Sequence, residues 1–237
     1  MSKPHSRTLS YILYAVASLA FILYFGFELN AEITMWPATR IALLCSGCAC
    51  IYSASIFLSR TVTRELASTI MRRSFLVFFV IYILLLLTFT LFDDGFGRNE
   101  KNFFILTGDP FIQSVKESVN LVPFKTIKLY LRNIARDRIT VGDFAINMLG
   151  NLAALAPMGF FLPLLFKKQR HWYAVAFTTS LVVAMIELLQ LVFQKGSCDI
   201  DDLLLNVAGA VAAYTICWSK PVARQIDRLT HRARFTQ

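Results

Sequence analysis

Three groups of polar residues interrupt stretches that are otherwise almost wholly apolar. Asp143, Asn147 and Asn151 stand four residues apart, Glu187, Gln190 and Gln194 stand three and four apart, and Asp199, Asp201, Asp202 and Asn206 form the third group. On helices these spacings place each of the first two sets along one face. A carboxyl inside hydrocarbon costs about 2.5–3.5 kcal/mol at a helix centre, so such groups should face one another or a wet cavity. The expected ligand-binding set is Asn147, Asn151, Glu187, Gln190, Asp199, Asp202 and Asn206. Glu187 and Asp202 are the candidates for proton transfer or general-base work. A blander role stays open beside this one: asparagine and glutamine join helices in bilayers, and aspartates at a helix start cap free amides. The aspartates and the glutamate supply hard oxygen ligands, but their spacing matches no metal motif, and no metal site or cofactor is assigned.

A second kind of chemistry lies upstream. After Pro123, a residue suited to opening a helix, Lys125, Lys128, Arg132 and Arg136 recur at three- and four-residue intervals. Phe124, Ile127, Leu131 and Ile134 recur opposite them. That pattern predicts an amphipathic helix lying in a membrane interface, with apolar side chains in lipid and Lys125, Lys128 and Arg132 on head-group phosphates. A loop helix packed on the membrane domain is the plainer alternative.

The elements that must position these residues follow from composition. The chain has 237 residues, 56% of them hydrophobic and 16% charged, with 21 phenylalanines, more apolar surface than a soluble domain of this length buries. Six apolar runs of spanning length, about 9–27, 36–58, 75–92, 144–166, 172–193 and 201–218, predict an all-α polytopic transmembrane bundle. Residues 1–92 form a three-span region, 93–143 a polar loop holding the interfacial helix and the turn signals Gly95, Gly97 and Gly108-Asp109-Pro110, and 219–237 a basic tail. The formal charge of +9 is spread between apolar runs, where it sets topology and meets anionic lipid, so nucleic acid is not an expected partner. Placing alternate loops on opposite sides gathers fourteen lysines and arginines at the N-terminus, two short turns and the tail, which predicts cytoplasmic termini. The long loop, with eight basic residues on the other side, runs against that sorting. Cys45, Cys48, Cys50 and Cys217 fall within apolar runs and read as small packing residues, leaving Cys198 in a loop. No internal repeat supports a duplicated transporter architecture.

An ordered set of motifs carries a resemblance: Asn120-Leu-Val-Pro-Phe124, Asn147-Met-Leu-Gly-Asn151, Pro157-Met-Gly159 with Pro163, Glu187-Leu-Leu-Gln190, and Asp199-Ile-Asp-Asp202 with Asn206 and Gly209. Together they resemble the VanZ-like family of bacterial membrane proteins over about residues 120–218. The resemblance implies a small helical protein of the bacterial inner membrane, in a family some of whose members are associated with low-level resistance to teicoplanin-type glycopeptides. An arginine frequent in that family just before the DIDD-type motif is replaced here by Lys195-Gly-Ser-Cys198. The expected activity is action at the outer leaflet on an amphiphile, such as a lipid-linked envelope precursor or a lipophilic glycopeptide, with membrane lipids as partners. Two alternatives remain: an intramembrane enzyme on a lipid-linked phosphate or ester, and a proton-coupled transporter built on Glu187. No nucleophile motif favours the enzyme, since Ser197 has no histidine near it in sequence.

Overall fold

The computed structural model describes residues 3–28, 36–92, 119–192 and 198–230. Gln194, Ser197, the Gly108-Asp109-Pro110 turn and the end of the basic tail lie outside the described residues. The described chain is all-α apart from one two-residue strand pair, and six helical stretches, one of them the broken stretch Val141–Leu165, are long and apolar enough to cross a membrane. It divides into two compact units, Met1–Val80 with Ala223–Gln237, and Ile81–Val222.

The first unit is built on α1 (Lys3–Glu28), α2 (Pro37–Ser59) and most of α3 (Arg64–Leu87). Proline opens α2 at a position whose N–H would have no helical partner anyway. α1 packs along α2. Hydroxyl side chains join the three helices: the Ser55 hydroxyl of α2 lies 2.9 Å from that of Tyr14 on α1 and 2.5 Å from that of Ser74 on α3, and it also donates to the Ile51 carbonyl of its own helix. Short side chains let helices approach closely, and their hydroxyls need no strong outside partner.

The second unit begins with the end of α3 and the π-helical turn Thr88–Phe92. It continues through β1 (Val119–Asn120), α4 (Lys125–Ile134), α5 (Val141–Ala154), α6 (Ala156–Leu165), α7 (Trp172–Val192), β2 (Cys198–Asp199) and α8 (Ile200–Cys217). The short helix α9 (Lys220–Leu229) comes next in the chain, and from Ala223 on it belongs to the first unit. α8 is the hub, packed against α5, α6 and α7. Glycines permit this approach. A methyl group on Gly209 would stand 1.8 Å from the Leu152 carbonyl oxygen, and one on Gly159 would stand 2.1 Å from that of Ala210. Trp218 then donates its indole N–H to the Gly159 carbonyl at 3.0 Å.

The fourth apolar run, expected as one helix, is two. Pro157 has no N–H to continue the ladder, and the chain breaks at Leu155, where α5 gives way to α6. The Met158 amide turns to the Leu155 carbonyl at 3.0 Å, and the Tyr82 hydroxyl donates to the Ala154 carbonyl at 2.7 Å. A broken span at membrane depth is tolerable only when its loosened carbonyls find such partners.

The amphipathic helix also starts later than Pro123 predicts. Pro123 sits in a turn, Phe124 follows in the left-handed region at φ 62°, and α4 runs from Lys125 to Ile134, so Arg136 lies beyond its end. Its apolar stripe is not given wholly to lipid. Ile127, Tyr130 and Ile134 are half-buried, with α4 packed on α5 and α8, while Leu129 and Leu131 remain exposed.

Candidate functional site

Segments about eighty residues apart in the chain meet where β1 pairs in parallel with β2, Val119 beside Cys198 and Asn120 beside Asp199. The pairing is short, so side chains must hold it. The Asn120 amide donates to Asp199 Oδ1 at 3.0 Å and to the Thr126 hydroxyl at 3.1 Å, and that hydroxyl in turn donates to Asp199 Oδ2. Asp199 also caps α8, accepting the Asp201 amide at 2.9 Å. Its carboxylate therefore serves the loop before α4 and the start of α8 together.

Asp201 completes the junction and is fully buried. Phe124 has no side-chain acceptor with which to cap α4, and the Asp201 carboxylate supplies that function from another helix. It accepts the backbone N–H groups of Phe124, of Thr126 at 2.9 Å and of Ile127 at 3.2 Å. Negative charge at this position also complements the positive end of the helix. Asp201 is absent from the expected binding set, yet it makes the widest contact of the three aspartates with α4. The signal that could have exposed it is the missing cap: an amphipathic helix preceded by Val-Pro-Phe has no acceptor of its own for its first amides.

Glu187 lies on the buried face of α7 that also carries Val175, Thr179 and Val183 at four-residue spacing. Its Oε2 accepts the Asp199 amide at 2.9 Å, and it accepts a hydrogen bond from the Cys198 thiol. Burial pushes the Cys198 thiol up, and the neighbouring Glu187 carboxyl and Asp199 charge add to that. Glu187 thus anchors β2. Among the described residues it makes no hydrogen bond to Asn147, Asn151 or Asn206.

The remaining expected residues fall into separate places. Asn151 donates its amide to Asp202 Oδ1, joining α5 to α8. Asn206 donates to the Asp202 carbonyl of its own helix at 2.8 Å, and Gln190 donates to the Thr90 carbonyl in the π-helical turn at 2.9 Å. Asn147 is exposed. Asp143 is exposed too and closes a capping box with Thr140, whose hydroxyl accepts the Asp143 amide at 3.1 Å. Among the described residues the first and second stripes are each hydrogen-bonded to the third, while no hydrogen bond joins the first directly to the second. Asn151–Asp202 is a side-chain pair between helices, and Glu187 with Asp199 belongs to the strand junction beside it. Among the described residues no group of three or more His, Cys, Asp or Glu is arranged to hold a metal ion.

Tyr130 is a residue the sequence pattern did not single out. It sits on the inner side of α4, its ring 5.9 Å from that of Phe144. Burial raises its phenol above the ordinary tyrosine range, and the charges of Asp202, Asp143 and Asp199 raise it further. A phenol held protonated is a hydrogen-bond donor on the side of α4 that meets Phe144 of α5. On the opposite side of α4, Lys125, Lys128 and Arg132 are exposed within an arc of about 60° at 100° per residue. The helix thus has a cationic outer side and an inner side that meets carboxylates.

Neither the curated proteins nor the solved structures include a match to the chain. A family model described as VanZ/LLP1 matches residues 79–223, a stretch that begins near the end of α3 and takes in the strand junction, α4 and the hub helix α8. With more than half of its length matched, this multi-span membrane protein belongs to the VanZ/LLP1 family.

Proposed function

We propose that this VanZ/LLP1 protein acts at the outer boundary of the bacterial inner membrane, with both termini cytoplasmic, by binding an anionic amphiphile. The amphiphile is an envelope component such as a lipid-linked precursor, or a lipophilic glycopeptide antibiotic. The observation that supports this reading is α4. It carries three exposed cations on one side, and on its other side Tyr130 lies against Phe144 of α5, the helix that supplies Asn151 to the Asn151–Asp202 pair. The cations suit phosphate or carboxylate head groups. The inner pair suits a hydroxyl-bearing portion, with Asp202 accepting and Tyr130 and the exposed Asn147 amide donating. In this reading Glu187 and Asp199 hold the framework, and Asp202, Asn151, Asn147 and Tyr130 meet the ligand.

Mass spectrometry of amphiphiles copurifying with the full chain tests it. A species held by wild-type protein and lost both in Asp202→Ala and in the triple variant Lys125→Glu, Lys128→Glu, Arg132→Glu is the expected result. An identical set of copurifying amphiphiles in all three proteins overturns the reading.

A further inference from the structure

The same junction assigns a role to the aspartate that the binding set omits. Both oxygens of Asp201 are spent on main-chain N–H groups, Oδ1 on Phe124 and Oδ2 on Thr126 and Ile127. Those amides are the start of α4, a ten-residue helix with no buried residue of its own and no side chain acting as its N-cap. An amphipathic helix of this length has little stability alone and could roll about its axis in an interface. Contacts at three amides within four residues, those of Phe124, Thr126 and Ile127, fix the roll as well as the location.

We propose that Asp201 is the positioning residue of the head-group-binding surface. By gripping the amide end of α4 it keeps Lys125, Lys128 and Arg132 turned toward anionic phosphate while Tyr130 stays packed against Phe144 of α5. This rests on the preceding reading that the cationic side of α4 meets anionic head groups. The chemistry recognised is the phosphate monoester or diester of a membrane amphiphile. Asp201 itself never touches it.

The test uses the full chain in nanodiscs of phosphatidylcholine alone, with phosphatidylglycerol added, or with a polyprenyl phosphate added. The two anionic additions separate bulk phospholipid from a lipid-linked phosphate as the source. Wild type, Asp201→Asn, Asp201→Ala and the triple variant Lys125→Glu, Lys128→Glu, Arg132→Glu are compared by amide hydrogen exchange and by the ratio of anionic to zwitterionic lipid retained. Asp201→Ala is expected to speed exchange over residues 120–134 by about tenfold or more, the loss expected for one or more hydrogen bonds. It is expected to lower the anionic ratio while residues 203–217 exchange as in wild type. Asp201→Asn, which keeps one acceptor oxygen, should fall between the two and guards against a poorly folded alanine variant. The triple variant should lose the anionic ratio with wild-type exchange.

Unchanged exchange over 120–134 in both Asp201 variants overturns the grip. Faster exchange with an unchanged lipid ratio overturns the positioning role, since mere structural support would loosen the helix without moving head-group preference. If the triple variant keeps the anionic ratio, the reading of the cationic side fails, and the Asp201 proposal with it. If only the Asp201 variants are silent, that reading stands and this proposal alone falls.

Discussion

The two units of the chain use polar side chains in different ways. In Met1–Val80, Ser55, Ser74 and Tyr14 meet through hydroxyls; Ser55 donates to the Ile51 carbonyl of its own helix at 2.6 Å, and the single Ser74 proton is shared between the Ile70 carbonyl of its own helix at 3.1 Å and Ser55. In Ile81–Val222, Asp199, Asp201, Asp202 and Glu187 accept from amides and side chains brought from elsewhere in the chain. A helical hydroxyl can satisfy itself, so its contact with a neighbour is optional and weak. A buried carboxylate has several acceptor positions, more than the free amides at its own helix start can fill, and draws the remaining donors from distant segments. The first arrangement joins helices, whereas the second dictates where a particular loop must lie.

The largest effect that sharpens this contrast concerns the backbone contacts that let α8 reach its partners. Gly209→Ala places a methyl against the Leu152 carbonyl and Gly159→Ala places one against Ala210 and Tyr214 backbone, so helices must separate. A loss of about 3 kcal/mol is expected for each, read as a lower midpoint in detergent or denaturant unfolding. Asp202→Ala comes next, removing the acceptor of the Asn151 amide at a cost of about 2 kcal/mol together with loss of copurifying amphiphile. Retention of the amphiphile at full level would move the binding site away from this pair. Glu187→Ala frees the Asp199 amide and costs about 1–2 kcal/mol, while Glu187→Gln retains an acceptor and should cost less than half of that. Equal losses would mean that charge rather than hydrogen bonding anchors β2.

Two smaller effects probe the same difference. The Cys198 thiol, raised by burial and by Glu187, stays protonated at neutral pH, so its alkylation, followed on its own peptide, should be slow and accelerate only above the ordinary thiol range. Glu187→Ala removes both the acceptor and the charge and should bring that acceleration to lower pH. An unaltered profile would separate Cys198 from Glu187. Ser55→Ala should cost about 0.6 kcal/mol, the least of the series, because Ser74 keeps the Ile70 carbonyl of its own helix and only the half-buried Tyr14 hydroxyl loses its Ser55 contact. A loss comparable with that of Asp202→Ala would erase the distinction between the two units.

Much of the architecture is legible in residue order because bilayer physics acts on composition. A twenty-residue apolar run identifies a spanning helix without knowledge of its neighbours. The break at Leu155 is also written locally, in Pro157, but an apolar run carries no mark of where the loosened carbonyl goes, and Tyr82 lies far upstream. The division of labour among Asp199, Asp201 and Asp202 is different in kind. Successive residues at a helix start point in different directions, so an acidic triplet looks like one cluster until its partners are placed. The partners of two of them come from the Asn120–Ile127 stretch, and that of Asp202 from α5. Likewise Lys125, Lys128 and Arg132 of the cationic repeat stand together on the exposed side of α4, while Tyr130 emerges only when the helix is docked on α5 and α8.

The grip of Asp201 on the amides before and within α4 has a consequence for biogenesis. The ribosome makes residues 124–127 more than seventy codons before it makes Asp201. At about 5–20 residues per second that interval is several seconds, during which two hydrophobic hairpin arms must enter the bilayer. Throughout it the cationic segment has no carboxylate to receive its leading N–H groups. A nascent chain stalled short of codon 199 should therefore expose this segment to added protease, and one stalled well beyond codon 217 should protect it.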